Sequence, residues 1–160
     1  MRDRDELRAR EAVAHFLIRR LMVPRIYFEV EWPGLPRRRV DVLALDRNGV
    51  GDAHIVEIRR SARHALDSVP YLLEARSPYR WIAFFRGTED EQSLGSLVSQ
   101  TPLYRDGQAG RIGVIEIVTM AFDDLGANLR LAAERFPTPT YELARDFSRS
   151  HQAVHQFGSD

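Results

Sequence analysis

Cysteine is absent from the 160 residues, which excludes disulfides and thiolate metal ligands alike. Lysine is absent too: all 23 basic residues are arginine, so no lysine amine is available for chemistry. There is no excess of either charge, with 23 acidic residues against 23 basic ones, so composition alone lends no support to a polyanion partner. A local basic patch remains compatible with that balance. No apolar run reaches the roughly 20 residues a membrane span requires. Arg2, Asp3, Arg4, Asp5 and Glu6 open the chain and lead into an amphipathic pattern, not an apolar secretory stretch. A cytoplasmic protein with no membrane partner is expected. Internal repeats and low-complexity segments are missing as well.

What remains is ordinary globular material, 44% apolar and 29% charged, long enough for one domain with a real core. Helical spacing of Leu7, Ala14, Ile18 and Leu21, widened by Val13, Phe16 and Leu17, predicts a first helix from about Arg4 to Val23. Pro24 ends it. Arg25–Trp32 alternates as a strand, with Ile26, Phe28 and Val30 on one face. Two more strands are expected at Arg39–Asp46 and Ala53–Arg60, joined by a turn through Asn48 and Gly49. Ser61 is a candidate cap for a helix from about Arg63 to Ala75, in which Pro70 should produce a kink or a shortening. Arg80–Phe85 is a further buried strand. Beyond it, Thr88 and Glu91 match a capping box for a helix to about Ser99, and Arg111–Thr119 reads as a strand. Helices are expected over Leu125–Phe136 and from Tyr141, capped by Thr140, to about Gln156.

The chemistry concentrates on the second and third strands. Alternation puts Asp41, Leu43 and Leu45 on one face, with Val40, Val42 and Ala44 on the other. It likewise groups Ile55, Glu57 and Arg59. A hairpin then sets Asp41 beside Glu57, with Arg59 about 6–7 Å further along. Carboxylates are costly to bury in strands, so something must offset them, and two acids with one cation suit a divalent metal and a phosphate. The plainer reading is an Asp41–Arg59 salt bridge on a solvated sheet face, with Glu57 exposed.

This order of elements, with acids on the second and third strands, resembles the PD-(D/E)XK nuclease superfamily over about Arg4 to Phe85. The resemblance implies an α/β, restriction-endonuclease-like αβββαβ core, a mixed sheet flanked by helices, with a C-terminal strand and helices added. It maps the motif onto Asp41, Glu57 and Arg59, with Val40 in place of the name's proline and Arg59 in place of its lysine. It implies Mg²⁺ or Mn²⁺ held by Asp41, Glu57 and the Ile58 carbonyl, Glu11 of the first helix as a further acid, and DNA as the substrate. Arg59 would contact the scissile phosphate but, unlike lysine, cannot serve as a base near neutral pH.

Arg37, Arg38 and Arg39 before Asp41, with Arg60 and Arg63 after Glu57, are the candidate phosphate-gripping rim; a solvated basic edge is the alternative. Tyr71, Tyr79 and Trp81 suit base stacking or, equally, the core. His151 and His155 stand at i, i+4 on the expected last helix, with no third ligand evident. Two functional classes remain open: a metal-dependent nuclease, and a catalytically degenerate domain that binds nucleic acid or protein. A third expectation is a subunit whose C-terminal half docks on a partner or on a second copy.

Overall fold

A computed structural model describes residues 3–32, 39–45, 52–75, 77–87, 95–96, 99, 102–105, 108–136, 146–147 and 149–156, with backbone alone at 3, 102–105, 108–109 and 156. The elements run α1 (Asp3–Leu21), β1 (Arg25–Glu31), β2 (Arg39–Leu45), β3 (Ala53–Arg59), α2 (Ala62–Glu74) and β4 (Tyr79–Phe85). A small hairpin, β5 (Pro102–Arg105) and β6 (Gln108–Arg111), precedes β7 (Gly113–Thr119), β8 (Leu125–Leu131) and β9 (His155–Gln156). The main sheet has the order β8-β7-β4-β3-β2-β1-β9. The first three strands form an antiparallel meander; β4 and β7 are parallel to β3, the crossover from β3 to β4 being α2. This is the mixed α/β fold with an αβββαβ core that the sequence led us to expect.

Two apolar clusters lie on the two faces. Ala9, Val13, Phe16 and Leu17 of α1 cover Ile26, Val42, Val56, Ile58 and Trp81. Ala62, Ala65, Val69 and Leu72 of α2 cover Leu43, Leu45, Ile55, Ile82 and Phe84. A sheet buried on both faces explains why β3 and β4 read as near-continuous apolar runs. Leu7 is the exception in the predicted α1 stripe, being half exposed. Helix α1 ends with Met22 in the left-handed region (φ 57°), and the Val23 amide turns back to the Leu17 carbonyl at 3.2 Å ahead of Pro24.

Ser61 caps α2 as expected, its Oγ accepting from the His64 amide at 3.2 Å. The helix does not stop at Pro70, which lies on the exposed side where the loss of one N–H is tolerated. The C-terminal half departs further from expectation. Leu125–Leu131 is a strand, not the start of a helix, because Leu125, Ala127, Leu129 and Leu131 also fit a period of two. It folds back on β7 through the short turn at Ala121–Asp123, pairing Ile117 with Ala127 and Val118 with Gly126. The last helix is confined, among the described residues, to 146–147 and 149–150, and His155–Gln156 instead pairs with Arg25 and Ile26 as β9. Phe147 anchors this segment, edge-on to Tyr27 at 4.9 Å and to Trp32 at 5.8 Å. Most of the Thr88–Ser99 expectation lies outside the described residues.

One irregularity positions the site. Ile26 and Phe28 face α1, yet Val30 packs with the α2-side cluster, because Glu29 between them has φ 49°. Val40, paired with Val30, follows it to the α2 side while Val42 stays on the other. The strict alternation expected of Val40, Val42 and Ala44 therefore fails at Asp41.

Packing is tight where β4 meets β7. A Cβ on Gly113 would run into the buried Trp81 ring and come within 2.7 Å of the Ala133 backbone nitrogen. Gly113→Ala should lower the unfolding free energy by about 2–3 kcal/mol, at the upper end of overpacking costs. Gly95→Ala, with open space around it, should change it by less than about 0.5 kcal/mol, both read by urea denaturation.

Candidate functional site

The β2–β3 ladder runs from Leu45↔Ala53 to Val42↔Val56 and ends there. One step further, Asp41 stands across from Glu57, but the strands no longer pair. The Ile58 amide donates to Asp41 Oδ2 at 2.7 Å, where a continued ladder would supply a β2 carbonyl. The sheet thus opens at Asp41, and a side chain takes over the role of backbone.

Arg59 fills the opening. Its Nη1 lies 2.8 Å from the Ile58 carbonyl oxygen and 3.3 Å from Asp41 Oδ2, and its Nη2 lies 2.9 Å from Glu57 Oε2. One guanidinium therefore spans two carboxylates and a carbonyl. Above it lies a cleft of about 260 Å³ lined by Glu6, Arg10, Glu29, Asp41, Ile58 and Arg59. Arg10 bridges Glu29 at 2.7 Å and Glu6 at 3.6 Å, so acidic groups outnumber basic ones around the opening.

Glu57 is the most perturbed of these acids. Burial, and then the Asp41 charge and a hydrogen bond shared with it, push its pKa up from 4.5 to about 7, against the opposing pull of Arg59. Its Oε1 is buried and has no hydrogen-bond partner among the described residues. Glu57 is therefore not the exposed strand residue of the plainer reading.

Asp41, Glu57, Ile58 and Arg59 lie together, and the Asp41–Arg59 salt bridge of the plainer reading is formed at 3.3 Å. Glu11 is not with them. Its Oε2 contacts His155 Nε2 at 2.7 Å, and it lines a separate groove with Leu7, His15 and Phe122. Helix α1 instead offers Glu6 and Arg10, one helical turn apart, neither of which falls within the apolar stripe. Glu29 was overlooked, since its left-handed backbone is invisible in the pattern. Arg39, Arg60 and Arg63 are exposed on β2, just past β3 and at the start of α2. Arg37 and Arg38 lie outside the described residues. His151 and His155 do not share a helical face: His151 stacks on Phe147 at 3.8 Å, whereas His155 belongs to β9. Trp81 is buried, and its Nε1–H donates to His54 Nδ1 at 3.1 Å, a core arrangement completed by Tyr79 stacked on His54 at 4.3 Å.

The donor set suits a hard divalent cation in kind, since two carboxylates and a carbonyl are all oxygen ligands and Glu57 Oε1 has no other partner among the described residues. Among the described residues no group of three or more His, Cys, Asp or Glu side chains is arranged to hold a metal ion, at this opening or elsewhere.

No protein-family model and no curated protein sequence matches the chain. Among solved structures, it is similar to a protein of unknown function from Silicibacter pomeroyi, with a TM-score of 0.53 and 19% identity over 89% of this chain and 82% of that one. That likeness shows a shared fold. Pyrococcus furiosus SfsA in complex with Ca²⁺ gives a TM-score of 0.36 and 14% identity over 78% of this chain and 63% of that one. No helix among the described residues is long and apolar enough to cross a membrane.

The buried acid and His54 make opposite demands on pH. Glu57 keeps its proton in the folded state to about pH 7 but loses it near 4.5 when unfolded, so its contribution falls as pH rises through that window. His54, pushed down by burial from 6.5 to about 4, refuses a proton that the unfolded chain accepts, so stability falls as pH drops through that window. In EDTA-containing buffer, Glu57→Gln should gain stability relative to wild type as pH is raised from 4.5 to 7. A difference between the two urea curves that stays constant with pH would contradict the buried protonated carboxyl.

Proposed function

We propose that this protein acts on the phosphodiester bonds of DNA through a metal-assisted, nuclease-like site built on Asp41, Glu57, Ile58 and Arg59. The observation that carries this reading is the convergence of both carboxylates and the Ile58 carbonyl on a single cation, the Arg59 guanidinium, at the open end of the β2–β3 ladder. Asp41, Glu57 and the Ile58 carbonyl would hold Mg²⁺ or Mn²⁺. A divalent ion bound there supplies a more acidic water and takes up charge developing on phosphorus. Asp41 keeps its carboxylate aimed by accepting the Ile58 amide at 2.7 Å. Arg59 grips non-bridging phosphate oxygens through two parallel hydrogen bonds and leaves proton transfer to other groups. Arg39, Arg60 and Arg63, all exposed, extend the cationic surface along the backbone of the nucleic acid.

One observation favours a second reading, a domain that binds DNA without cutting it. Arg59 already contacts one oxygen of each candidate ligand at 2.8–3.3 Å, so each carboxylate has a cationic partner without a metal. Under this reading Arg39 and Arg63 still contact phosphates.

Incubation of the purified protein with plasmid and single-stranded DNA separates the two. Cleavage is expected with Mg²⁺ or Mn²⁺, lost by about a hundredfold or more in Asp41→Ala, consistent with removal of a positioned ligand. Intact substrates in both ions would rule out the nuclease reading. Binding is scored in EDTA by fluorescence anisotropy of a labelled duplex. The double variant Arg39→Ala, Arg63→Ala should weaken it and reduce the slope of log affinity against log salt by about two. An unchanged slope would remove these arginines from the interface.

A further inference from the structure

We infer that Arg59 is the site's resident cation and that a divalent ion enters only by displacing it. This rests on the Asp41–Glu57–Ile58 ligand reading above and adds how access to that site is controlled. The oxygens assigned to the ion are the oxygens that Arg59 holds: Ile58 O at 2.8 Å, Glu57 Oε2 at 2.9 Å and Asp41 Oδ2 at 3.3 Å. A small divalent ion needs such oxygens at about 2.0–2.6 Å. It would then sit in the space the guanidinium fills, and like charges so close repel strongly. The two occupants are mutually exclusive.

The surroundings decide which partner moves. Asp41 is pinned by the Ile58 amide at 2.7 Å, the Ile58 carbonyl is part of β3, and the Glu57 side chain is only 4% exposed. Asp41 and Arg59 both line the cleft, with side chains 26% and 29% exposed, but Asp41 is held by the Ile58 amide, so the guanidinium is the freer of the two to swing outward. Its planar fork is also the group best suited to a phosphate. A phosphodiester arriving in the cleft competes for Arg59 against the carboxylates, and drawing it outward uncovers the three oxygens together. The resting protein is therefore a poor metal binder, guarded by its own side chain.

The test is calorimetric titration of Mn²⁺ alone into wild type, Arg59→Gln, Arg59→Lys and the double variant Asp41→Asn, Arg59→Gln. Arg59→Gln should bind one Mn²⁺ about tenfold or more tighter than wild type, the scale set by losing charged hydrogen bonds to the same oxygens. Arg59→Lys, with a smaller head that covers fewer oxygens, should fall between them and serves if the glutamine variant is unstable without metal. Asp41→Asn in the glutamine background should abolish the heat. A thermal melt gives a second readout: Mn²⁺ should raise the midpoint of Arg59→Gln and leave wild type unmoved. If wild type binds Mn²⁺ as tightly as both Arg59 variants, displacement is wrong while the ligand set stands. If none of the proteins binds, the ligand set fails, and this inference falls with it.

Discussion

The hydrogen bond from the Ile58 amide to the Asp41 carboxylate is the interaction on which the rest of the site depends. Antiparallel strands normally exchange backbone donors and acceptors to their ends, and a donor left over inside the protein is costly. Here β2 withdraws its carbonyl after Val42, and Asp41 supplies an oxygen in its place at 2.7 Å. The exchange does two things at once. It satisfies the Ile58 donor, and it fixes a carboxylate within reach of the next acid on β3. Glu29 makes room for this on the far side, since its left-handed backbone lets β1 turn its pattern over along with β2.

Placing an acid beside Asp41 in a nearly dry setting raises a charge problem, which is resolved in two ways. Glu57 holds its proton up to about neutral pH, mainly because of burial and then because of Asp41. Arg59 supplies the balancing charge, reaching both carboxylates and its own neighbour's carbonyl. The two act together, since Glu57 is buried, Asp41 is only partly so, and one guanidinium reaches both. A buried pair of this sort gives little net stability, because desolvation offsets attraction. Its worth is in specifying a geometry, which is how it comes to resemble a site for a cation and a phosphate.

Much of this was legible in the residues. Pairing of the second and third strands set Asp41 opposite Glu57, even though strict alternation fails at Asp41, and the hydroxyl of Ser61 three residues before His64 marked the start of α2. What escaped was whatever depended on a break in periodicity. A glutamate at φ 49° looks like any other strand glutamate, so the change of face at Val30 and Val40 had no signal. Leu125–Leu131 satisfies a helical and a strand period equally, and only pairing with β7 decides it. Glu11 looked better than Glu6 because it fell between apolar positions, yet the cleft lies toward the beginning of α1. His155 sat four residues after His151, but β1 offered an unpaired edge that claimed it as a strand.

Strand β3 shows why the charged chemistry sits where it does. Two buried ionisable side chains occupy it, His54 near its start and Glu57 near its end. Both are pushed toward the neutral form by burial. His54 has its Nδ1 engaged by Trp81 and a ring stacked on Tyr79, an arrangement that suits an uncharged imidazole. Glu57 has the opposite surroundings: an acid across the gap, a guanidinium two residues on, and a cleft beyond. The same strand thus carries two groups that burial pushes toward the neutral form, one closed in by packing and the other facing a guanidinium at the open end of the ladder. On the displacement inferred above, Glu57 is the one of the two that a ligand would reach, since the β2–β3 ladder ends beside it.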